Sequence, residues 1–134
     1  MSTQENKDLV RRLYDAVNQN NLAVLDGLIS PNFVTYMPDS PQPLYGATGV
    51  KQTFMTSRSA FPDMYVTVND LIAEEDKVVV IYNSRGTNLG PIMNMPPTGQ
   101  PMMFVGIDIW RIVGGKIGEY FGLQQLVGAP PPMR

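Results

Sequence analysis

One acid stands in an apolar strand near the end of this chain: Asp108, in "PMMFVGIDIWRIV" (101–113). Side chains alternate along a strand, so Phe104, Asp108, Trp110 and Ile112 share a face. A carboxyl between Phe104 and Trp110 is desolvated, which raises its proton affinity and suits it to proton transfer near neutral pH. Tyr120, in "KIGEYFGLQQL" (116–126), can reach the same face from the next strand. Tyr36, in "NFVTYMP" (32–38), offers a second phenol. A phenol can orient a carbonyl or donate a proton without a histidine. Arg85, late in "VVVIYNSRGT" (78–87), is the better cation to orient Asp108 or meet a carboxylate or enolate, because Arg111 falls on the opposite face. The expected catalytic set is Asp108, Tyr120, Tyr36 and Arg85. Each has a plainer reading beside it: a strand-end ion pair for Arg85 and Asp108, and core aromatics with a hydroxyl at the rim for the tyrosines.

Composition narrows the chemistry further. The chain has no His and no Cys. That removes Ser–His and Cys–His nucleophiles, disulfides, and the usual zinc and copper ligands. Asp70, Glu74, Glu75 and Asp76 form an acidic strand end that reads as a solvated turn, so no metal and no cofactor are expected. Net charge is −2 with no basic block, which leaves nucleic-acid binding without its electrostatic footprint. No apolar run approaches the ~18–20 residues of a membrane span, and no signal peptide stands at the start. A cytoplasmic location is the expectation.

Elements must position these residues. The 134 residues suit one domain, 1–128, with a Pro-rich tail at 129–134. Ser2 and Glu5 fit a capping box ahead of a helix that turns Leu9, Leu13, Ala16 and Val17 inward, with Val10 and Tyr14 widening that face. Asn21 is expected to cap a second helix carrying Leu22, Leu25, Leu28 and Ile29. A short β-prone piece (32–38) leads into a Pro/Gly loop (39–46). A third helix is expected over 48–60, capped by Thr48, with Val50, Phe54 and Met55 inward. Strands follow at 64–75, 78–87, 101–113 and 116–126, the last two joined at Gly114-Gly115. Helices early and antiparallel strands late make an α+β fold whose bent sheet leaves a cavity at its open end. Phe104, Trp110 and Phe54 are expected to line it. Met93 and Met95, with Met102 and Met103, suit either its mouth, shaped for a flat hydrophobic ligand, or a dimer contact.

The stretches "ENKDLVRRLYDAVNQNN", "AFPDMYVTVNDLIAEEDKVVVIYNSRGT", "PPTGQPMMFVGIDIWRIVGGKIGEYF" and "LQQLVGAP" resemble the SnoaL-like polyketide cyclases, of the superfamily that includes ketosteroid isomerase. The resemblance implies a cone-shaped α+β barrel, with three N-terminal helices on a strongly curved, mostly antiparallel sheet, and a homodimer. It implies, too, a Tyr beside Asp108 in the manner of an oxyanion hole. The chain departs from the family pattern at two places: Tyr36 stands where a His is frequent, and Glu119-Tyr120-Phe121-Gly122 lacks the acid of the aldol cyclases, which is either replaced by Gly122 or lost in a deletion ahead of "LQQL".

These readings converge on a cofactor-independent enzyme of cyclase, isomerase or dehydratase type. It would move a proton on a hydrophobic, oxygenated substrate of polyketide or terpenoid kind. Two alternatives use the same frame: a binder of hydrophobic ligands that turns nothing over, and a protein-interaction module working through the sheet face.

Overall fold

The computed structural model describes residues 1–36, 43–92 and 94–128, without the side chain of Tyr36. Helix α1 (Thr3–Asn18) begins at the expected capping box: Ser2 Oγ accepts from the Glu5 N–H at 3.1 Å, and Glu5 Oε1 accepts from the Ser2 N–H at 3.0 Å. Its apolar face buries Leu9, Val10, Leu13, Tyr14, Ala16 and Val17. The expected second helix is instead one 3-10 segment, Leu22–Gly27, and Asn21 makes no side-chain cap. Leu25, Leu28 and Ile29 are still buried, because the chain leaves the 3-10 turn to bridge Ile29 to Ile117.

Three further expectations are corrected. Residues Pro43–Tyr45 form a strand, β2, paired antiparallel with β1 (Val34–Tyr36), where a loop was expected. Gly46 then turns at φ +61° with its N–H on the Phe33 carbonyl at 2.7 Å. That left-handed step lets helix α2 (Gly46–Ala60) start directly, so Tyr45 takes the cap position and Thr48 lies inside the helix. Val50 and Phe54 lie four apart on one face, buried and half-buried, whereas Met55 is turned to solvent at 61% exposure.

The main sheet is antiparallel in the order β3 (Tyr65–Glu74), β4 (Lys77–Thr87), β5 (Pro101–Val113), β6 (Lys116–Gly128). Register shifts at Val68/Asp70 and Arg111/Ile112 bend it. The helices pack on one face of this curved, open sheet. Gly114 and Gly115 take φ of +57° and +76°, the left-handed pair that a two-residue hairpin turn requires. On the outer face Arg111 pairs with Asp76 at 2.9 Å and with Glu119 at 3.4 Å. Among the described residues no helix is long and apolar enough to cross a membrane.

The connection 88–100 is held from within. Asn88 is buried, donates to the Gly90 carbonyl at 2.9 Å, and accepts from the Thr98 N–H at 2.8 Å and the Thr98 hydroxyl at 3.1 Å. Asn88→Ala is expected to cost about 1–3 kcal/mol, since these partners are left without a counterpart. A shift in the urea midpoint measures it.

Candidate active site

Strand register sorts the inner face of the sheet into cross-strand rows. Val78, Trp110 and Tyr120 form one row; Val80, Asp108 and Gly122 the next; Tyr82, Gly106 and Gln124 the third; Ser84, Phe104 and Leu126 the fourth. Asp108 is thus the single ionisable acid in four rows of mostly apolar and phenolic side chains.

Both of its oxygens are held by phenols. The Tyr14 hydroxyl donates to Oδ2 at 2.5 Å and the Tyr120 hydroxyl to Oδ1 at 2.9 Å. Trp110 Nε1 donates in turn to the Tyr14 oxygen at 2.9 Å. The Trp110 ring lies against Tyr120, centroids 4.5 Å apart, and stacks on Phe33. Asp108 is 7% exposed. Burial raises its proton affinity above the usual carboxylate range, and the two phenol hydrogen bonds oppose that rise. Burial, and then the neighbouring Asp108 charge, push Tyr14 and Tyr120 well above the ordinary phenol value. They therefore stay protonated and act as donors.

Gly122 explains how Tyr120 reaches the acid. It lies directly opposite Asp108, and a Cβ there would collide with the Tyr120 hydroxyl and Asp108 Oδ1. The space a side chain at 122 would take is therefore filled by a phenol bonded to an acid on the adjacent strand. Gly106 plays the same part for Tyr82, whose ring end occupies the place of the missing Cβ.

The expected Arg85–Asp108 pairing is corrected by the register. Arg85 stands across from Met103, five residues along from the Val80–Asp108 pair. That is about 17 Å, and an odd step puts it on the opposite face. Trp110 is 3% exposed and orients Tyr14 from behind. Phe104 is half-buried and meets Phe61 edge-on at 5.7 Å. Phe54 packs against the core from α2, and Met95 is exposed in the 88–100 connection, bridged to Ile92. Tyr36 ends β1, its side chain outside what is described; Met93 and residues 129–134 also lie outside the described residues. A wide-mouthed cavity of about 500 Å³ opens between β1 and β6, with Ser30, Asn32, Val34 and Tyr120 in its wall. Asp108 does not line it; Tyr120, which lines it and bonds Asp108, is the residue the two share. Among the described residues no three His, Cys, Asp or Glu side chains group as metal ligands do.

Tyr14 was read from sequence only as a packing residue. The available signal was a phenol on an otherwise aliphatic helix face, since a buried hydroxyl needs a partner. A model of the SnoaL-like polyketide cyclases matches residues 7–129. The chain belongs to this family. Solved structures agree with the SnoaL-like assignment. IdmH of Streptomyces antibioticus, a candidate polyketide cyclase, is 28% identical with a TM-score of 0.74 over 89% of this chain and 91% of its own. AclR of Streptomyces galilaeus, a candidate hydroxylase, is 27% identical with a TM-score of 0.78, covering 92% and 91%. TsrD of Streptomyces laurentii is 25% identical with a TM-score of 0.83, covering 96% and 93%. No curated protein matches the chain.

Proposed function

We propose that this SnoaL-like protein is a cofactor-independent enzyme of cyclase, isomerase or dehydratase type. It moves a proton next to a carbonyl on an apolar, oxygenated small molecule of polyketide or terpenoid kind. The observation that carries the reading is a buried carboxyl held at both oxygens by protonated phenols. Asp108, as carboxylate, takes a proton from the carbon beside the carbonyl, and the electron pair of that C–H bond moves into an enolate. Once protonated, Asp108 accepts less strongly, so the Tyr120 hydroxyl is released to donate to the enolate oxygen. Asp108 then returns its proton to carbon or oxygen, and the phenol returns to Asp108. Tyr14, braced by Trp110, keeps the carboxyl in place throughout. Tyr36 is retained as a further polarising phenol, because β1 runs beside β6. Phe104, Phe54, Met93 and Met95 are retained as apolar contacts for the substrate.

The test uses 2-tetralone, an enolisable apolar ketone, in D2O. The wild-type protein should catalyse exchange of its α-protons, followed by NMR, and Asp108→Asn should not. A second reading is ligand binding without turnover. It is favoured by the occupation of both Asp108 oxygens in the free protein. Under it, the ketone binds and no exchange occurs.

A homodimer through the outer sheet face belongs to the same proposal. Register aligns Val79, Ile109 and Phe121 in one outer row and Ile81, Ile107 and Leu123 in the next. Phe121 is 61% and Leu123 70% exposed. Adjacent apolar rows of this kind mark an interaction surface. Leu123→Lys is expected to convert a dimer to monomer in sedimentation velocity. A wild-type monomer at the same concentration would remove this part of the proposal.

A further inference from the structure

The third inner row carries a polar device that proton transfer at Asp108 leaves unused. Tyr82, Gly106 and Gln124 stand side by side across three strands. The Tyr82 hydroxyl donates to Gln124 Oε1 at 3.2 Å. The ring can lie across the sheet because position 106 has no Cβ. Tyr82 is buried and Gln124 is exposed above it. Burial, and then the Asp108 charge, hold the Tyr82 phenol in its protonated, donating form. A phenol that donates to the amide oxygen fixes which way the amide faces. The NH2 end is then turned away from Tyr82, and among the described residues nothing accepts from it. An amide offers two donors at that end.

We infer that Gln124, oriented by Tyr82, is a subsite that donates a hydrogen bond to a second oxygen of the substrate. That oxygen is a carbonyl or hydroxyl remote from the carbonyl activated beside Asp108. The inference rests on the proton-transfer reading, which puts the reacting carbon over the Asp108 row. Neighbouring same-face rows are about 6.6 Å apart along a strand. The Tyr82 ring covers Gly106, so the lane open to a ligand runs along β6, where Tyr120 and Gln124 are exposed and the Tyr120 hydroxyl sits over Gly122. A ligand there meets the Tyr120–Asp108 pair at one end and Gln124 at the other. Two fused six-membered rings, oxygenated at opposite ends, span that distance. Tyr82 is a positioning residue here and Gln124 the group that touches the ligand.

The experiment compares 2-tetralone with 6-hydroxy-2-tetralone, which differ by one oxygen at the far ring. KM is read from α-proton exchange, and Kd from quenching of the single tryptophan, Trp110. For the wild-type protein the hydroxylated ketone is expected to have the lower KM and Kd by about 3- to 10-fold, the worth of one net hydrogen bond. In Gln124→Leu that ratio falls to one. In Tyr82→Phe it falls toward one, because the amide is free to turn. A ratio of one in the wild-type protein overturns the subsite, as does a ratio that survives in Gln124→Leu. Loss of exchange with the Kd ratio intact strikes the proton-transfer reading and leaves the subsite standing. Binding of neither ketone overturns both.

Discussion

Asp108→Asn is expected to slow α-proton exchange by about 10²- to 10⁴-fold, the usual contribution of a general acid or base. The variant should nevertheless fold. An asparagine has the shape of the acid, and its Oδ1 can accept from Tyr14 as Oδ2 of Asp108 does at 2.5 Å. Its NH2 then faces Tyr120, whose hydroxyl can turn and accept, since a hydroxyl both donates and accepts. Trp110 still donates to Tyr14. No buried polar group loses its partner, so the loss of exchange is chemical and not structural.

The same variant carries a pH signature. The folded-state pKa of Asp108 lies above the ordinary carboxylate value, chiefly through burial. Between the unfolded value, about 3.9, and the raised folded value, the native state binds more protons than the unfolded state. Stability of the wild-type protein therefore falls as pH rises through that window. Asp108→Asn has no such proton to lose. The difference in unfolding free energy should move in favour of the variant as pH rises from about 4, then level off above the folded pKa. Asp63 and Asp76, whose pKa values are lowered by Thr87 and Arg111, pull stability the other way with pH. They are common to both proteins and cancel in the difference. Urea unfolding at a series of pH values reads it; a flat difference would mean that Asp108 is not perturbed.

Gly122→Ala is expected to damage the site as severely by adding one methyl. The new Cβ falls on the Tyr120 hydroxyl and against Asp108 Oδ1. Tyr120 must leave, which strands one carboxyl oxygen without its donor and inserts volume into a packed row. Overpacking of this kind costs about 1–3 kcal/mol. Exchange should fall by at least the factor that loss of the polarising phenol brings, about 10²-fold. Backbone strain is not the cause, because Gly122 has no positive φ. Removing the ring relieves the clash: Tyr120→Ser with Gly122→Ala should regain most of the stability lost in Gly122→Ala, while exchange stays low. A double-mutant cycle in urea measures that coupling. An active Gly122→Ala protein would rule out the phenol–acid geometry as the working site.

Local rules of the chain reached some parts of this molecule and not others. The capping box at Ser2 and Glu5, the strand 101–113 and the Gly114-Gly115 turn follow from short-range chemistry, and the structure has them at those places. The β2 strand was hidden because Pro43 and the neighbouring prolines read as loop. Its pairing with β1 is a contact that composition does not encode. Parity along β5 was enough to set Asp108 apart from Arg111. It was not enough to place Arg85, because parity says nothing of how far along a neighbouring strand a residue falls; the register of β4 on β5 decides that. Tyr14 was missed for a related reason. Helical periodicity assigns a residue to a face but not to what that face meets. Gly122 looked like a missing acid, and only its place opposite Asp108 shows it as room for a phenol.

The Tyr14–Asp108 hydrogen bond joins positions 94 residues apart. One partner belongs to the first helix and the other to the penultimate strand. Neither is chemically unusual by itself: an acid in a detached strand titrates as any aspartate does. The abnormal proton affinity arises only when the two ends of the chain have met. A growing or partly folded chain thus carries no misplaced reactive acid, and the chemistry is armed by the final closure of the fold. In a refolding experiment, protection of the α1 amides and the shifted titration of Asp108 should emerge in one kinetic phase.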